Sequence, residues 1–193
     1  SCSARSDRTV NAKSGDVVLG QIASVTMNGG SGIDAFAQIG HGGDENDGAA
    51  SGNVVVNSAG LVRLGGGSGS DSYVQIGHGG HDATGNFGAA GGTDVLVVVG
   101  NGIDLDGGTL ADGAYAQIGF GGSNADGNHA GSIFVNYHLL LSNGPLGEGA
   151  ITLDGGVSGK NAYAQIGHGG KDSNTGSKSG DILVGVETDV SLD

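Results

Sequence analysis

The sequence predicts an all-β chain folded as a parallel β-solenoid, with three short strands in each of about four to five coils. Three phrases recur in a fixed order, and each is typical of a short strand bounded by Gly, Asn, Asp or Ser turns. Glycine accounts for 44 of the 193 residues, and no segment shows a helical apolar period over ten or more positions. A propeller blade needs four strands, and a sandwich gives no reason for ordered repetition, so a solenoid is favoured.

The first phrase of each unit is a small polar residue followed by three apolar ones. Its copies are Asp16-VVL, Asn53-VVV, Asp94-VLV, Ser132-IFV and Asp181-ILV. We expect the leading polar residues to stack at a corner and to cap backbone groups there. Both faces of the strand are apolar, which indicates burial on both sides. The outward parity is expected to form an apolar stripe, a candidate lateral interface made of Val18, Val55, Leu96, Phe134 and Leu183. The alternative is that the chain's own loops, such as the loop at 85–92, cover this stripe.

The second phrase alternates apolar and polar residues and usually ends in glycines. Its copies are Val25-TMNGG, Val62-RLGG, Ile103-DLDGG, Ile151-TLDGG and Val190-SLD. Arg63 is the only basic residue within a recurring strand phrase, and Asp104 and Asp106 are expected one coil above it. A carbohydrate-active β-helix enzyme needs clustered carboxylates, often beside a basic residue, so this position carries the enzymatic alternative.

The third phrase reads AYAQIGHGG at 162–170, with close copies at 35–43, 72–80 and 114–122. Its glutamines are separated by 37, 42 and 48 residues, which indicates one structural unit carrying loops of variable length. Alternate side chains of a strand point to opposite faces. One parity is apolar apart from a histidine and is predicted to face the core. The other parity is predicted to face outward as an aromatic ladder (Phe36, Tyr73, Tyr115, Tyr163) beside a glutamine ladder hydrogen-bonded along its column (Gln38, Gln75, Gln117, Gln165).

The histidine column of this strand contains His41, His78, Phe120 and His168. A catalytic or metal-binding histidine cannot be exchanged for phenylalanine, whereas a planar ring that fills a corner can be. We therefore interpret the column as structural. His81, His129 and His138 fall outside it and show no ligand spacing in the sequence.

Two glycine-rich stretches, GGSGIDAFA at 29–37 and GGSGSDSYV at 66–74, match a calcium-binding nonapeptide pattern. That pattern needs tandem copies to complete a site, and these two lie 37 residues apart, so glycine turns with surface aspartates are favoured. Acidic loops also follow the third phrase, but none has the ligand order of an EF-hand. We expect no cofactor, and weak Ca²⁺ binding by the acidic loops remains an open alternative.

The composition bounds the partners. The formal net charge is −13, which disfavours nucleic acid, and no apolar run approaches the eighteen residues of a membrane helix, so neither nucleic-acid binding nor membrane insertion is expected. Cys2 is the only cysteine, which excludes an internal disulfide. We expect a lead or cap segment at 1–14 and a repeat array at 15–193, with coils starting near 15, 52, 93, 131 and 180.

The phrases AYAQIGHGG, SYVQIGHGG and I-x-L-D-GG resemble stretches of large glycine-rich bacterial surface proteins of the filamentous-haemagglutinin and autotransporter-passenger type. The resemblance covers roughly residues 15–193. It implies a right-handed parallel β-helix, exported to the cell exterior and used for adhesion or as a shaft. It supplies no binding residues, because such families place those residues in variable loops.

Three functions follow from these expectations. The first is a non-catalytic, extracellular rod segment of a surface adhesin, whose aromatic ladder and apolar stripe would contact a cell-surface or glycan ligand. The second is a self-assembling filament subunit that associates with its own kind head to tail or laterally, since the sequence stops within a coil and leaves an uncapped parallel edge. The third is the carbohydrate-active enzyme.

Overall fold

The computed structural model describes residues 12–89, 92–109, 112–137, 149–157, 159–186 and 189–193. The strands of the described residues pair side by side into sheets, and every strand pair among them is parallel. The prediction of an all-β chain with parallel sheets is therefore confirmed. In the described ranges, no helix has the length and apolar character needed to cross a membrane.

Three sheets are each built from one strand per repeat unit. The first sheet contains Val17–Ile22, Val54–Ser58, Asp94–Val99, Ser132–Val135 and Ile182–Val184. The second sheet contains Val25–Asn28, Val62–Gly65, Ile103–Asp106, Ile151–Asp154 and Val190–Leu192. The third sheet contains Phe36–Ile39, Tyr73–Ile76, Tyr115–Phe120 and Tyr163–His168. We number the units 1 to 5 in chain order, and the fifth has strands in the first two sheets only.

Two shorter pairings lie beside these sheets. Lys13–Ser14 pairs with Ala50–Ser51, and His129–Ala130 pairs with Lys178–Ser179. Parallel pairing in the described residues thus already begins within the segment that the sequence assigned to a lead or cap. Residues 1–11 lie outside the described ranges.

The strands of neighbouring units are in register, so equivalent residues face each other across each pair. In the third sheet Gln38 pairs with Gln75, Gln75 with Gln117 and Gln117 with Gln165. In the first sheet Val18, Val55, Leu96, Phe134 and Leu183 pair successively in the same way. The recurrence of the phrases is the consequence, because each unit meets the same packing surface above and below it.

The core lies between the three sheets and is filled by aliphatic side chains from the inward parity of each strand. The fully buried members include Val56, Val97, Leu64, Leu105 and Ile118. Burying one such side chain stabilises the fold by roughly 1.5–3 kcal/mol, so the repeated strands supply the main favourable contribution to folding. Short β-branched side chains dominate because the space between the sheets is narrow and pleated surfaces pack well with them.

The D-GG ending of the second phrase has a local cause. At the end of the strand a side-chain oxygen accepts a hydrogen bond from the backbone N–H two residues later, which turns the chain toward the third sheet. The pairs are Gly30 with Asn28 (2.8 Å), Gly108 with Asp106 (2.7 Å) and Gly156 with Asp154 (2.8 Å). Unit 2 has Gly65 at this position, so the bond belongs to the units that have Asn or Asp there.

Candidate functional site

The aromatic column of the third sheet is a continuous stack of rings. Phe36, Tyr73, Tyr115 and Tyr163 have successive ring centroids 5.1, 4.8 and 4.9 Å apart, with planes within 6° of parallel. Tyr73 and Tyr115 are fully buried, and only Phe36, in the first unit, is substantially exposed, at 46%. The prediction that this column faces outward as a contact surface is therefore wrong.

The burial of the aromatic column follows from the glycine pair that ends the third phrase. The pair turns the chain so that the following loop lies over the rings. A Cβ atom placed at Gly80 would stand 2.5 Å from the hydroxyl oxygen of Tyr73, and one at Gly122 would stand 2.6 Å from that of Tyr115. Burial raises the pKa of both tyrosines, with the charge of Asp44 adding to the effect at Tyr73. The rings thus form a second, smaller core between strand and loop.

The glutamine column is also internal, with Gln75 and Gln117 fully buried. The amide nitrogen of Gln75 donates to the carbonyl oxygens of His78 (3.2 Å), Gly119 (3.1 Å) and Gly121 (2.8 Å). Gln38 and Gln117 bond the equivalent carbonyls, and Gln38 alone also reaches the next amide oxygen, at 3.4 Å. The predicted chain of amide-to-amide bonds is therefore wrong in the main: Gln38, Gln75 and Gln117 each bond carbonyl groups in the glycine-rich segment of the following unit.

The histidine column lies at a corner of the core. The rings of His41 and His78 are stacked with centroids 5.2 Å apart, and Phe120 and His168 continue the column at 5.8 and 5.5 Å. The Nε2 atom of His78 lies 2.7 Å from the carbonyl oxygen of Gly52, and its Nδ1 atom accepts the backbone N–H of His41 at 3.0 Å. Burial lowers the pKa of His78, so the neutral ring bridges two units. Phe120 keeps the ring contacts of this position without the polar bridge.

A second ring column was missed by sequence reasoning. Phe87 pairs with Ala50 and with His129, and the rings of Phe87 and His129 are 5.3 Å apart. Both rings are fully buried, and neither nitrogen of His129 has a hydrogen-bond partner among the residues that the structure describes. Phe87 belongs to the loop at 85–92 and lies in the core, so its ring does not cover the apolar stripe; residues 90 and 91 of that loop lie outside the described ranges. The sequence did contain a signal: Ala50, Phe87 and His129 each lie the same number of residues after the glutamine of the preceding third phrase.

The buried His129 makes stability depend on pH. Burial, and then the charge of Lys178, lower the pKa of His129 from 6.5 to about 3. Between these values the unfolded chain binds a proton that the folded chain does not, so stability falls as the pH falls from 6.5 toward 3. This one group contributes about 1.4 kcal/mol per pH unit within that window.

His129→Phe copies Phe87 of the preceding unit. Between pH 6 and 4 it is expected to reduce the slope of unfolding free energy against pH by about 1.4 kcal/mol per pH unit, the contribution of one proton. Denaturant titrations at several pH values measure this slope. His78 and His168 also have lowered pKa values and act with the same sign, so part of the slope remains in the variant. An unchanged slope in His129→Phe would contradict a neutral, buried His129.

The polar residues that lead the first phrase form a ladder of backbone caps. Asn53 donates its backbone N–H to the carboxylate of Asp16 (2.8 Å), Asp94 to the amide oxygen of Asn53 (3.1 Å) and Ser132 to the carboxylate of Asp94 (3.2 Å). The expectation that these side chains cap backbone groups is confirmed for Asp16, Asn53 and Asp94. They have a structural role at the start of each first-sheet strand.

The apolar stripe lies on the outward face of the first sheet. Val18 is 64% exposed, and Val55, Leu96, Phe134 and Leu183 are partly buried. A shallow groove of about 400 Å³ runs along it, bordered by the ladder of Asp16, Asn53 and Asp94. The ring of Tyr137 packs beside Phe134, with centroids 5.9 Å apart. The stripe is thus a partly exposed apolar surface that extends along the outward face of the first sheet.

Arg63 forms an ion pair with Asp104 of the next unit, with Nη2 and Oδ2 2.9 Å apart. The two residues pair across the second sheet, as the order of the phrases predicted. Both side chains remain partly exposed, and such surface pairs contribute at most about 1 kcal/mol to stability. Arg63 therefore already has a carboxylate partner in the position that carries the enzymatic alternative.

His81 is the centre of a cluster of carboxylates that the sequence spacing did not indicate. Its Nδ1 atom lies 3.0 Å from Asp44 and 3.7 Å from Asp34, and its Nε2 atom lies 3.7 Å from Asp82 and 3.8 Å from Asp71. The prediction that His81 shows no ligand spacing is wrong, because ligand atoms of His81, Asp34 and Asp44 lie within 4.8 Å of one another. His138 lies outside the described residues.

The electrostatics of this cluster are dominated by negative charge. Burial and the charge of Asp44 raise the pKa of Asp34. Burial acts to lower the pKa of His81, but the hydrogen bond to Asp44 and the surrounding carboxylates outweigh burial and raise it. The cluster therefore favours a positive charge at its centre.

These features define the class of the chain: an all-β protein of stacked parallel sheets whose signature residues bind one repeat unit to the next. No family model, curated protein or solved structure matches it.

Proposed function

We propose that the chain is a non-catalytic structural segment, a right-handed parallel β-solenoid of three strands per coil that forms part of an extracellular bacterial adhesin rod. The observation that carries the proposal is the register of the third sheet, where Tyr73, Tyr115 and Tyr163 stand over one another, one per unit. The aromatic and glutamine residues that define the repeat contact the neighbouring units, and those of units 2 and 3 are fully buried inside the molecule. Repetition therefore serves to extend the molecule along one axis.

The internal use of the ladders changes which surface contacts a partner. The aromatic column is covered by loops, whereas the apolar stripe is partly open. An open apolar strip on a side of the molecule is typical of a contact surface. We assign the stripe to lateral packing of one rod against a second copy.

The acidic surface affects how one copy of the chain associates with another. A net charge of −13 keeps separate rods apart unless an apolar contact draws them together. The stripe is such a contact, since its groove is lined by Val55, Leu96 and Phe134 with Asp16 and Asp94 at the edge. Lateral association should consequently strengthen as salt screens the repulsion.

Leu96→Glu is expected to weaken lateral self-association at least about tenfold, which corresponds to about 1.4 kcal/mol, because it places a charge in the middle of the stripe. Sedimentation velocity over a concentration series at high salt measures the effect. Thr152→Glu, on the outward parity of the second sheet, is the matched control and should associate like the unmodified chain. Equal association of the two variants, or a monomer at every concentration, contradicts the lateral contact.

A second candidate function, a subunit that stacks head to tail, is favoured by the outermost strands. Among the described residues, Phe36–Ile39 and Val190–Leu192 each pair with a neighbour on one side only. Phe36 and Leu192 are 46% and 71% exposed there. Electron microscopy separates the candidates: filaments that lengthen with concentration support end-to-end stacking, and lateral pairs of constant length support the first proposal.

A further inference from the structure

The cluster around His81 joins two loops from each of two neighbouring units. Asp34 and Asp71 precede the third-sheet strands of units 1 and 2, whereas Asp44, His81 and Asp82 follow them. The loops stack through backbone bonds, with Asp34 donating its N–H to Ser70 and Glu45 donating to His81. The His81 side chain is only 9% exposed, so the ring is buried where these loops meet.

The proton count of the imidazole does not suit its surroundings. A neutral ring has one N–H group and one lone pair. If Nδ1 carries the proton, it donates to Asp44 at 3.0 Å, and the lone pair of Nε2 faces Asp71 and Asp82. If Nε2 carries it, the lone pair of Nδ1 faces Asp44 and Asp34. In either tautomer one ring nitrogen presents its lone pair to carboxylates, an arrangement that a bound cation would complete.

The two distances from Nδ1 to carboxylate oxygens are close to those of a tetrahedral metal site, and all three ligand atoms lie within 4.8 Å of one another. Zinc bonds to nitrogen and oxygen of about 2.0–2.1 Å separate neighbouring ligand atoms by roughly 3.3 Å. The distances from Nδ1 to Asp44 and Asp34, 3.0 and 3.7 Å, bracket that value. The carboxylates of Asp71 and Asp82 lie 3.8 and 3.7 Å from Nε2, within reach of a small side-chain rotation that would let them accept from Nε2–H. A ligating histidine ordinarily donates its second N–H to such a carboxylate.

The other units show what this position holds when the extra carboxylates are missing. The column of Asp44 and His81 continues with Ser123 and Lys171. The column of Asp34 and Asp71 continues with Gly113, without a side chain, and Asn161. Lys171 pairs with the adjacent Asp172, so unit 4 contains its own cation. In units 1 and 2 the four aspartates have ion-pair contacts with His81 alone among the described residues.

We propose that this cluster binds one divalent transition-metal ion of the zinc type through Nδ1 of His81 and one carboxylate oxygen each from Asp34 and Asp44. Asp71 and Asp82 orient the ring through Nε2–H, and solvent takes the fourth position. An imidazole ligand selects such ions over Ca²⁺ and Mg²⁺, which prefer oxygen. The ion links units 1 and 2 from outside the core. The inference stands independently of the proposed function, because it rests on side chains that the adhesin proposal does not use.

Isothermal titration of the full chain with ZnCl₂ tests the proposal, with Cys2→Ser as the background so that no thiol competes. We expect saturation at one ion per chain, unaffected by millimolar Ca²⁺. His81→Ser, which copies Ser123 of unit 3, should weaken binding by more than about 100-fold, since it removes a ligand whose mere orienting partners are worth 10–100-fold. Cobalt substitution gives a second readout: a visible absorption of tetrahedral Co²⁺ that His81→Ser loses.

A matched pair of variants controls for loop structure. Asp82 and Asp172 occupy equivalent loop positions with φ of +50° and +56°. Asp82→Asn should weaken zinc binding at least about tenfold, and Asp172→Asn should leave it unchanged. This pair decides the matter even if His81→Ser fails to fold.

Three results would overturn the proposal. The first is no saturable zinc binding, which leaves His81 as an imidazolium held by its aspartates. The second is zinc binding of equal strength in the Asp82→Asn and Asp172→Asn variants. The third is binding of Ca²⁺ in preference to Zn²⁺ that survives His81→Ser, which would mark a calcium loop instead.

Discussion

Gly77→Ala is expected to remove more than about 4 kcal/mol from the free energy of unfolding, enough to prevent folding of the isolated chain. Gly77 has a φ of +139°, which side chains rarely adopt. A Cβ atom there would lie far inside the 3.0 Å that real Cβ atoms respect, against the carbonyl oxygen of Gly119. That carbonyl belongs to the backbone of the neighbouring strand Tyr115–Phe120, which is itself paired in register with the unit beyond, so the clash cannot be relieved by a side-chain rotation. Circular dichroism and urea titration measure the loss.

The control for this substitution is Gly20→Ala. Gly20 lies in the strand Val17–Ile22 of unit 1, its backbone is not in the left-handed region, and no atom lies within 4 Å of an added Cβ. The change should alter stability by no more than about 1 kcal/mol. If Gly77→Ala is as mild as Gly20→Ala, the close approach of successive turns is contradicted.

Gln75→Leu is expected to cost about 3 kcal/mol of unfolding free energy, the second largest effect. The substitution keeps most of the volume of the side chain but removes the donor to His78, Gly119 and Gly121. The three bonds contribute about 1 kcal/mol each. The carbonyls of His78 and Gly121 keep backbone donors, the N–H groups of Gly121 and Gly80, so the loss comes from the bonds themselves and from the buried Gly119 carbonyl. Thermal and urea unfolding both report the change, and the spectrum of the folded state should remain that of β-structure.

Gln165→Leu supplies the matched comparison within the same column. Gln165 is partly exposed and donates one bond, of 3.4 Å, to His168. Its substitution is expected to cost less than about 1 kcal/mol. Equal losses at the two positions would show that the glutamines act through packing rather than through the turn of the following unit.

The parallel sheets could be predicted because their signals are local. Each strand phrase is short, β-branched and bounded by turn residues, and the fixed order of the phrases requires like strands to meet. The cap from Asp16 to Asn53 could be predicted for the same reason, since both residues lead the same phrase. Repetition converts a local pattern into a long-range contact.

The orientation of the third phrase could not be obtained in this way. Alternation separates Tyr73 and Gln75 from Val74 and Ile76, and it correctly puts the aliphatic set in the core. It does not say whether the opposite face is open. That face is covered because glycines with positive φ fold the next loop back, a property of backbone geometry that leaves no apolar period in the sequence.

The His81 cluster was missed although its signal was present. Asp34 and Asp71 are 37 residues apart, and so are Asp44 and His81. A shared spacing means that both pairs stack between units 1 and 2. The spacing does not show that the loop before each third-sheet strand lies close to the loop after it. In the structure these loops meet, with Asp34 and Asp71 within 4 Å of His81.

The glutamine bonds give the molecule a direction. Gln38 bonds to Gly77 and Gly79, and Gln117 to Gly167 and Gly169, always toward the later unit. Every interior unit therefore has glycine carbonyl acceptors on one side and a glutamine amide donor on the other. These hydrogen bonds do not limit the number of units that can be added. Duplication of a single 37- to 48-residue block would lengthen the molecule without requiring a new kind of contact.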